Sequence, residues 1–363
     1  MTASPGTFEA AAPWETEWPR EQLEPVPRCA VCGSSERTTL YEGLTDRIFR
    51  VAPGTWTLWR CAGCGAAFLD PRPTLGGIGL AYRCYYTHDA SRARHVFSEG
   101  TGVGLLLRRL RLFAYYDDAF GYALRPAAPG AAFLTRWSAA RRARADHLIR
   151  HLPAPSGRAR LLDVGCGNGD FLRIGRALGF DVVGLDLDEV AAARARASGL
   201  AVHVGTLDDV ALEPGTFEHV TLSHVLEHVH DPVGALRRVH ALLRPGGRVW
   251  IQTPNVEAEG LRRFGPDWRG LEPPRHLTLF GPESLRRALG AVGFERIALL
   301  PPRREAAFYV AQSLMVRRGA SVDRSGRAPR ARIGAEARRM DRAALRCPER
   351  GESLTAVAWR PEA

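Results

Sequence analysis

One stretch limits the fold of this chain more than any other: Leu161-Leu162-Asp163-Val164-Gly165-Cys166-Gly167-Asn168-Gly169, running into Asp170 and a segment of helical periodicity. A short apolar run that breaks into alternate glycines and then a helix reads as the first strand and turn of an α/β unit. The glycines let the backbone turn sharply and approach a ligand without a Cβ clash. The spacing is G-x-G-x-G, whereas G-x-G-x-x-G seats a pyrophosphate. Asp163, two residues before the first glycine, would repel a phosphate and suits an ammonium group. Asp186 lies 21 residues after Gly165, at the end of the next apolar run. A carboxylate there is placed to accept hydrogen bonds from two ribose hydroxyls.

The pattern continues downstream. Strand candidates are 160–164, 181–185, 201–204, 219–223, 248–253, 296–300 and 354–359, with helical segments at 188–197, 232–243 and 283–292. Short apolar strands alternating with helices predict a doubly wound, Rossmann-like seven-stranded sheet with its ligand at the carboxyl ends of the first strands. The last two strands are read as an antiparallel edge. Upstream, 1–27 reads as a disordered tail, 28–75 as a small cysteine module and 76–152 as an arginine-rich connecting region. The clearest helix there runs over 135–151, before Pro153. The main domain is 153–363, with a loop at 256–282 and a basic insertion at 318–350.

These motifs resemble the class I S-adenosylmethionine-dependent methyltransferases. Gly205-Thr206-Leu207-Asp208 resembles that family's adenine-contact turn, and the run 217–228 its fourth strand and following turn. Leu243-Arg244-Pro245-Gly246-Gly247 resembles the turn into its fifth strand. The resemblance implies a cofactor site in which Gly165, Cys166, Gly167 and Gly169 lie beneath the methionyl part and Asp163 near its amino group. It places Asp186 on the ribose and Thr206 and Leu207 by the adenine, and counts Leu187, Ser223 and His224 among the cofactor-binding residues. A dinucleotide fold or a SAM-fold scaffold without activity are the competing readings. His224-Val225-Leu226-Glu227-His228 also spells H-x-x-E-H, a zinc-hydrolase pattern when helical; at a strand end it reads instead as a turn beside the cofactor.

Cys29-x2-Cys32 and Cys61-x2-Cys64 carry a second signal. Each pair can form a knuckle, with Gly33 and Gly65 after the second cysteine, and two facing knuckles make a closed four-thiolate site for structural zinc. Cys84, Cys166 and Cys347 read as ordinary thiols. A zinc module ahead of such a domain is similar to two groups, the bacterial sugar and natural-product methyltransferases and the zinc-bearing ribosomal-RNA methyltransferases. Phe68-Leu69-Asp70-Pro71-Arg72-Pro73 and the tyrosines at 82, 85 and 86 resemble the first group. The acceptor implied is a sugar, nucleotide-sugar or glycan precursor, methylated on O, N or C; RNA is the alternative.

Methyl transfer needs a group to take the acceptor's proton, and histidine suits that near neutral pH. By resemblance to the sugar enzymes, His276 in the loop after the fifth strand is the catalytic candidate. Arg275 is read as a partner for a phosphate or carboxylate, Trp268 as a sugar-stacking or core residue, and Tyr85, Tyr86 and His88 as residues reaching over the same pocket.

Composition adds exclusions. The net charge is +11, and all fifty basic residues are arginine. Without lysine, neither a Schiff base nor a phosphate-loop lysine is available. The apolar residues among the arginines of 105–116 offer an amphipathic face for an anionic lipid or a polyanion, and such runs are also ordinary solvated faces. No stretch is long and apolar enough to span a membrane. The acidic, proline-rich start lacks the pattern of a secretion signal, so a cytoplasmic enzyme is expected.

Overall fold

The computed structural model describes residues 13–83, 96–98, 100–319 and 330–362. Residues 13–27, expected as part of a tail, pack against the cysteine module. Trp18 is buried against Trp56, β1 (Leu23–Glu24) pairs antiparallel with a strand at 72–73, and the Val26 amide donates to Asp70 Oδ1 at 2.7 Å. The buried Trp18 and Val26 supply the reason: they are apolar anchors in an otherwise polar stretch. The module itself is β2 (Arg37–Leu44), β3 (Trp56–Cys61) and β4 (Ala67–Leu69), followed by β5 (Arg72–Pro73).

The connecting region holds α1 (Val103–Phe120), α2 (Phe133–Arg136) and α3 (Ala139–Leu148). The single helix expected over 135–151 is therefore broken at Ser138, whose backbone is extended. Arg141 and Arg142 donate to the Leu134 and Arg136 carbonyls, satisfying acceptors that the break leaves open.

The main sheet begins at β6 (Arg160–Val164) and continues through α4 (Asp170–Ala177), β7 (Asp181–Asp186), α5 (Glu189–Ala197), β8 (Ala201–Val204), β9 (Phe217–Ser223) and α6 (Pro232–Leu242) to β10 (Leu243–Pro254). After α7 (Glu259–Phe264), β11 (Thr278–Leu279) and α8 (Pro282–Ala291) come β12 (Glu295–Leu299), α9 (Ala306–Arg317), α10 (Arg330–Arg346) and β13 (Ser353–Trp359). The seven strands lie in the order β12-β13-β10-β9-β6-β7-β8, and β13 alone runs against the rest. The antiparallel strand is thus internal and β12 is the edge. Burial explains this: β13 is buried along almost its whole length, whereas β12 is only partly covered. From β6 the chain goes one way to β7 and β8, then returns to β9 on the other side. That reversal opens a cleft at the carboxyl ends of β6 and β9, where ligands of such sheets bind.

The cysteine module is joined to this domain through a second sheet, ordered β11-β4-β3-β2. Thr278 pairs with Phe68 and Leu279 with Ala67. The loop at 256–282 is therefore built on the module. The basic insertion is for the most part α10, which packs Ala337, Met340 and Ala344 inward and leaves arginines such as Arg338, Arg339 and Arg342 in solvent. No helix among the described residues is long and apolar enough to cross a membrane.

Candidate active site

The turn after β6 forms a cradle. Gly165, Gly167 and Gly169 have φ of +70°, +52° and +79°, a region that costs other residues strain. A Cβ on Gly165 would stand 2.4 Å from Val225 Cγ2, and one on Gly169 2.5 Å from Leu200 Cδ1. Gly167 alone faces open space. Its amide donates to Asp186 Oδ2 at 2.6 Å, while Asp186 Oδ1 accepts from the Asp188 amide at 2.9 Å. Leu187 beside it is 71% exposed. Cys166 contributes backbone only, because its side chain is buried against the sheet; burial pushes its thiol up. Thr206 accepts the Asp208 amide and donates its hydroxyl to Asp209 Oδ2 at 2.7 Å, fixing the next turn. Leu207 turns its side chain into the core.

Asp163 is buried and paired with Arg150, and its Oδ1 also accepts from Thr221 Oγ1 at 2.8 Å. Burial pushes the carboxyl up against the pull of the guanidinium. Arg150 reaches this place from just beyond α3, stacked 3.7 Å over Phe171 and 5.3 Å from Trp250. In the sequence it is one of a dozen clustered arginines, and no local signal separates it from them. Asp163 Oδ2 is buried without a hydrogen-bond partner.

That orphan atom starts a belt of polar groups on one face of the sheet. Ser223 Oγ lies 3.4 Å from Gln252 Oε1, and Gln252 stands across from Thr355 in the antiparallel register. Gln252 Nε2, Thr355 Oγ1 and Glu305 Oε1 are all buried without a partner. Glu305 interacts with Ser353, which in turn bonds the Tyr309 hydroxyl at 3.1 Å. Burial raises the Glu305 carboxyl. Buried hydrogen-bonding atoms left open are costly unless a ligand or water meets them.

The 224–228 turn borders this belt. It is not a zinc-hydrolase helix: Leu226–His228 is a single 3-10 turn. His224 has φ +55°, and its Nδ1 meets Glu227 Oε1 at 3.1 Å while its side chain remains about a third exposed. Glu227 is fully buried. Burial opposes its ionisation, yet the His224 hydrogen bond and the neighbouring His228 and His276 outweigh this and hold it at about 2. Glu227, His228 and His276 also bring three potential metal-ligand atoms within 4.8 Å of one another.

His276 lies behind this turn, 5% exposed, with Nδ1 hydrogen-bonded to the Gly270 carbonyl at 2.8 Å. Burial lowers it to about 4. Its neighbour Arg275 is fully buried and salt-bridged to Asp46 and Glu272, so it serves the joint with the cysteine module. Trp268 is a core residue: it is 1% exposed, stacks on Tyr309 and donates to Glu352 Oε2 at 2.8 Å. Tyr82 donates or accepts at His228 Nδ1 at 3.0 Å. Cys84, Tyr85, Tyr86 and His88 lie outside the described residues.

The four cysteines of the two knuckles converge. Cys29 and Cys64 Sγ are 3.7 Å apart, Cys32 and Cys61 Sγ 3.4 Å, and all four lie within 4.8 Å of one another. None is in a disulfide. Zinc–sulfur bonds of about 2.3 Å in a tetrahedron put sulfurs about 3.8 Å apart, so the donor set fits that ion.

Residues 136–299 match the family described as a methyltransferase domain. The chain carries a methyltransferase domain. It is 40% identical over 104 residues to the ubiquinone biosynthesis O-methyltransferase of Xanthomonas euvesicatoria pv. vesicatoria, covering 27% of this chain and 44% of that relative. The corresponding protein of Pseudomonas aeruginosa is 40% identical over 103 residues, covering 26% and 44%. The chain thus spans less than half the length of these curated relatives. A solved S-adenosylmethionine-dependent methyltransferase of Mesorhizobium loti shares 24% identity over 60% of this chain and 98% of that one, with a TM-score of 0.41. The cradle, the 224–228 turn and His276 all fall inside the methyltransferase domain; the cysteine module precedes it, and Glu305 and Thr355 follow it.

Proposed function

We propose that this chain transfers a methyl group from S-adenosylmethionine to a small polar acceptor, with a sugar, nucleotide-sugar or glycan precursor as the class favoured. One observation carries the reading: the cradle at Gly167 opens beside a belt of buried side chains that each keep one hydrogen-bonding atom without a partner. Gly165, Gly167 and Gly169 would hold the methionyl part, the open Asp163 Oδ2 would take its ammonium, and Asp186 the ribose hydroxyls. Bound there, S-adenosylmethionine supplies an electrophilic methyl on a sulfonium, displaced in line by the acceptor's nucleophile. Gln252, Thr355 and Glu305 would position that acceptor, since a molecule with several hydroxyls offers both donors and acceptors to them. The O-methyl transfer in the relatives' names is one of the transfers this reading includes.

His224 would receive the acceptor's proton on Nε2, while Glu227 fixes Nδ1–H and stabilises the cation that forms. His228 and His276 back the Glu227 carboxylate. This gives His276 a supporting part in catalysis. The four cysteines would hold zinc as a structural ion with no open coordination position. The test mixes purified chain with methyl-labelled S-adenosylmethionine and fractionated extract of a host lacking the gene. Label should enter nucleotide-sugars or glycans, and His224→Asn should reduce transfer about 10²–10⁴-fold while S-adenosylmethionine still binds. Label in RNA would replace the acceptor assignment; unaltered transfer by the variant would remove the role of His224.

A further inference from the structure

Methyl transfer makes no use of one surface. Of ten exposed large apolar side chains among the described residues, six fall on or beside α1 and α2: Val103, Leu106, Leu107, Phe133, Leu134 and Trp137. Val103, Leu106, Leu107 and Leu110 follow the spacing of a single helix face. One turn further along, that face carries Phe113 and Ala114, which are buried. Helix α1 therefore has one apolar stripe whose C-terminal half is packed and whose N-terminal half stands in water. The segment leading to α2 is fastened to it by the Ala128 amide on the Leu110 carbonyl at 3.0 Å and by the Arg136–Asp118 ion pair. Trp137, immediately after, is 87% exposed.

Charge selects the occupant. Residues 103–150 contain nine arginines and three aspartates. The aspartates are engaged: Asp117 with Arg125, Asp118 with Arg136, and Asp146 with the Tyr115 hydroxyl. Arg108, Arg141, Arg142 and Arg144 are exposed, and none of them forms an ion pair with an acidic side chain among the described residues. Exposed leucines gain nothing from a phosphodiester backbone, and two copies of an arginine-rich face repel each other. An interface with apolar depth beneath negative headgroups satisfies both sets at once. We infer that the α1–α2 face docks on an anionic lipid bilayer. Leu106, Leu107 and Trp137 enter the headgroup–acyl boundary, and the arginines lie on the lipid phosphates. The inference stands apart from methyl transfer, since neither the cradle nor the polar belt takes part.

Co-sedimentation of the full chain with phosphatidylcholine vesicles, with and without about one-third phosphatidylglycerol, tests this. Binding is expected only to the anionic vesicles, weakening as salt rises. Leu106→Glu/Leu107→Glu and Trp137→Glu should each reduce it tenfold or more, with circular dichroism melts unchanged because these side chains are exposed. Neutralising Arg108 or Arg144 should cost about fivefold apiece, the equivalent of about 1 kcal/mol per charge near an anionic surface. Absence of vesicle binding, or full binding by the glutamate variants, would overturn it. So would a short single-stranded RNA retained through the same residues in place of vesicles, or a dimer that the glutamate variants dissolve.

Discussion

Three glycines two residues apart look alike in the sequence and are constrained differently by the fold. Gly165 and Gly169 are closed in by Val225 and Leu200, whereas Gly167 has nothing within 4 Å of where a Cβ would sit. Gly169→Val should therefore act on folding, through overpacking of about 1–3 kcal/mol on top of backbone strain. Gly167→Val should pay only the strain and fill the space for the donor, so that calorimetric affinity for S-adenosylmethionine falls at least tenfold with a smaller loss of melting temperature. Equal affinities for Gly167→Val and the parent chain would place the donor elsewhere. The glycines and Asp186 were legible because backbone approach and ribose recognition impose a spacing along the chain. Arg150, Gln252, Glu305 and Thr355 were not, since each becomes relevant only through a partner from another strand or helix. Trp268 and Arg275 show the reverse: residue types suited to ligand contact, absorbed by the core and by a buried ion-pair network.

At the level of elements, the strands of the main sheet were readable from apolar runs, and their order follows from the doubly wound pattern. The two-residue β11 was not, because no periodicity can show in so short a strand; its existence depends on β4 offering an edge. That pairing makes the cysteine module the floor of the 256–282 loop. The buried Arg275–Asp46 pair and the Phe68–Thr278 register tie the two together. Zinc at the four cysteines should therefore influence amides far from it. The chain should release one zinc on thiol blocking, as read with a chelating dye, since small modules draw much of their folding energy from the ion. In hydrogen exchange, chelation should expose the amides of β3 and β4, and with them those of Thr278 and Leu279. Loss of protection confined to residues 28–69 would show the module and the loop to be independent, and an apo chain with unchanged exchange would show the four thiols to be structural without metal.

Across the whole molecule, an excess of arginine conceals a second electrostatic property, the number of histidines held neutral by burial. His151 and His219 are lowered to about 3 and His276 to about 4, in each case chiefly by desolvation. In the unfolded chain these groups take up protons below about 6.5, so acid favours unfolding. Buried carboxyls act in the opposite sense: burial raises Asp146 to about 6 and Glu352 to about 7, and also lifts Asp163, Glu305 and Asp341, so the folded state binds protons there first. Their uptake offsets part of the histidine effect as pH falls below about 7. Glu227, held at about 2, adds stability above its ordinary range that is lost as pH falls through about 2. His147 is lowered in the same way, and Glu272 joins Glu227 among the carboxyls held low, so on balance the unfolded chain binds more protons as pH falls from about 6.5 towards 4. Urea midpoints should accordingly fall as pH is lowered from about 6.5 towards 4. His219→Leu, away from the cleft and packed on Phe180, should flatten that slope by close to one proton. A midpoint that rises on acidification, or a variant with the parent's slope, would mean that the carboxyls rather than the buried imidazoles govern the response to pH.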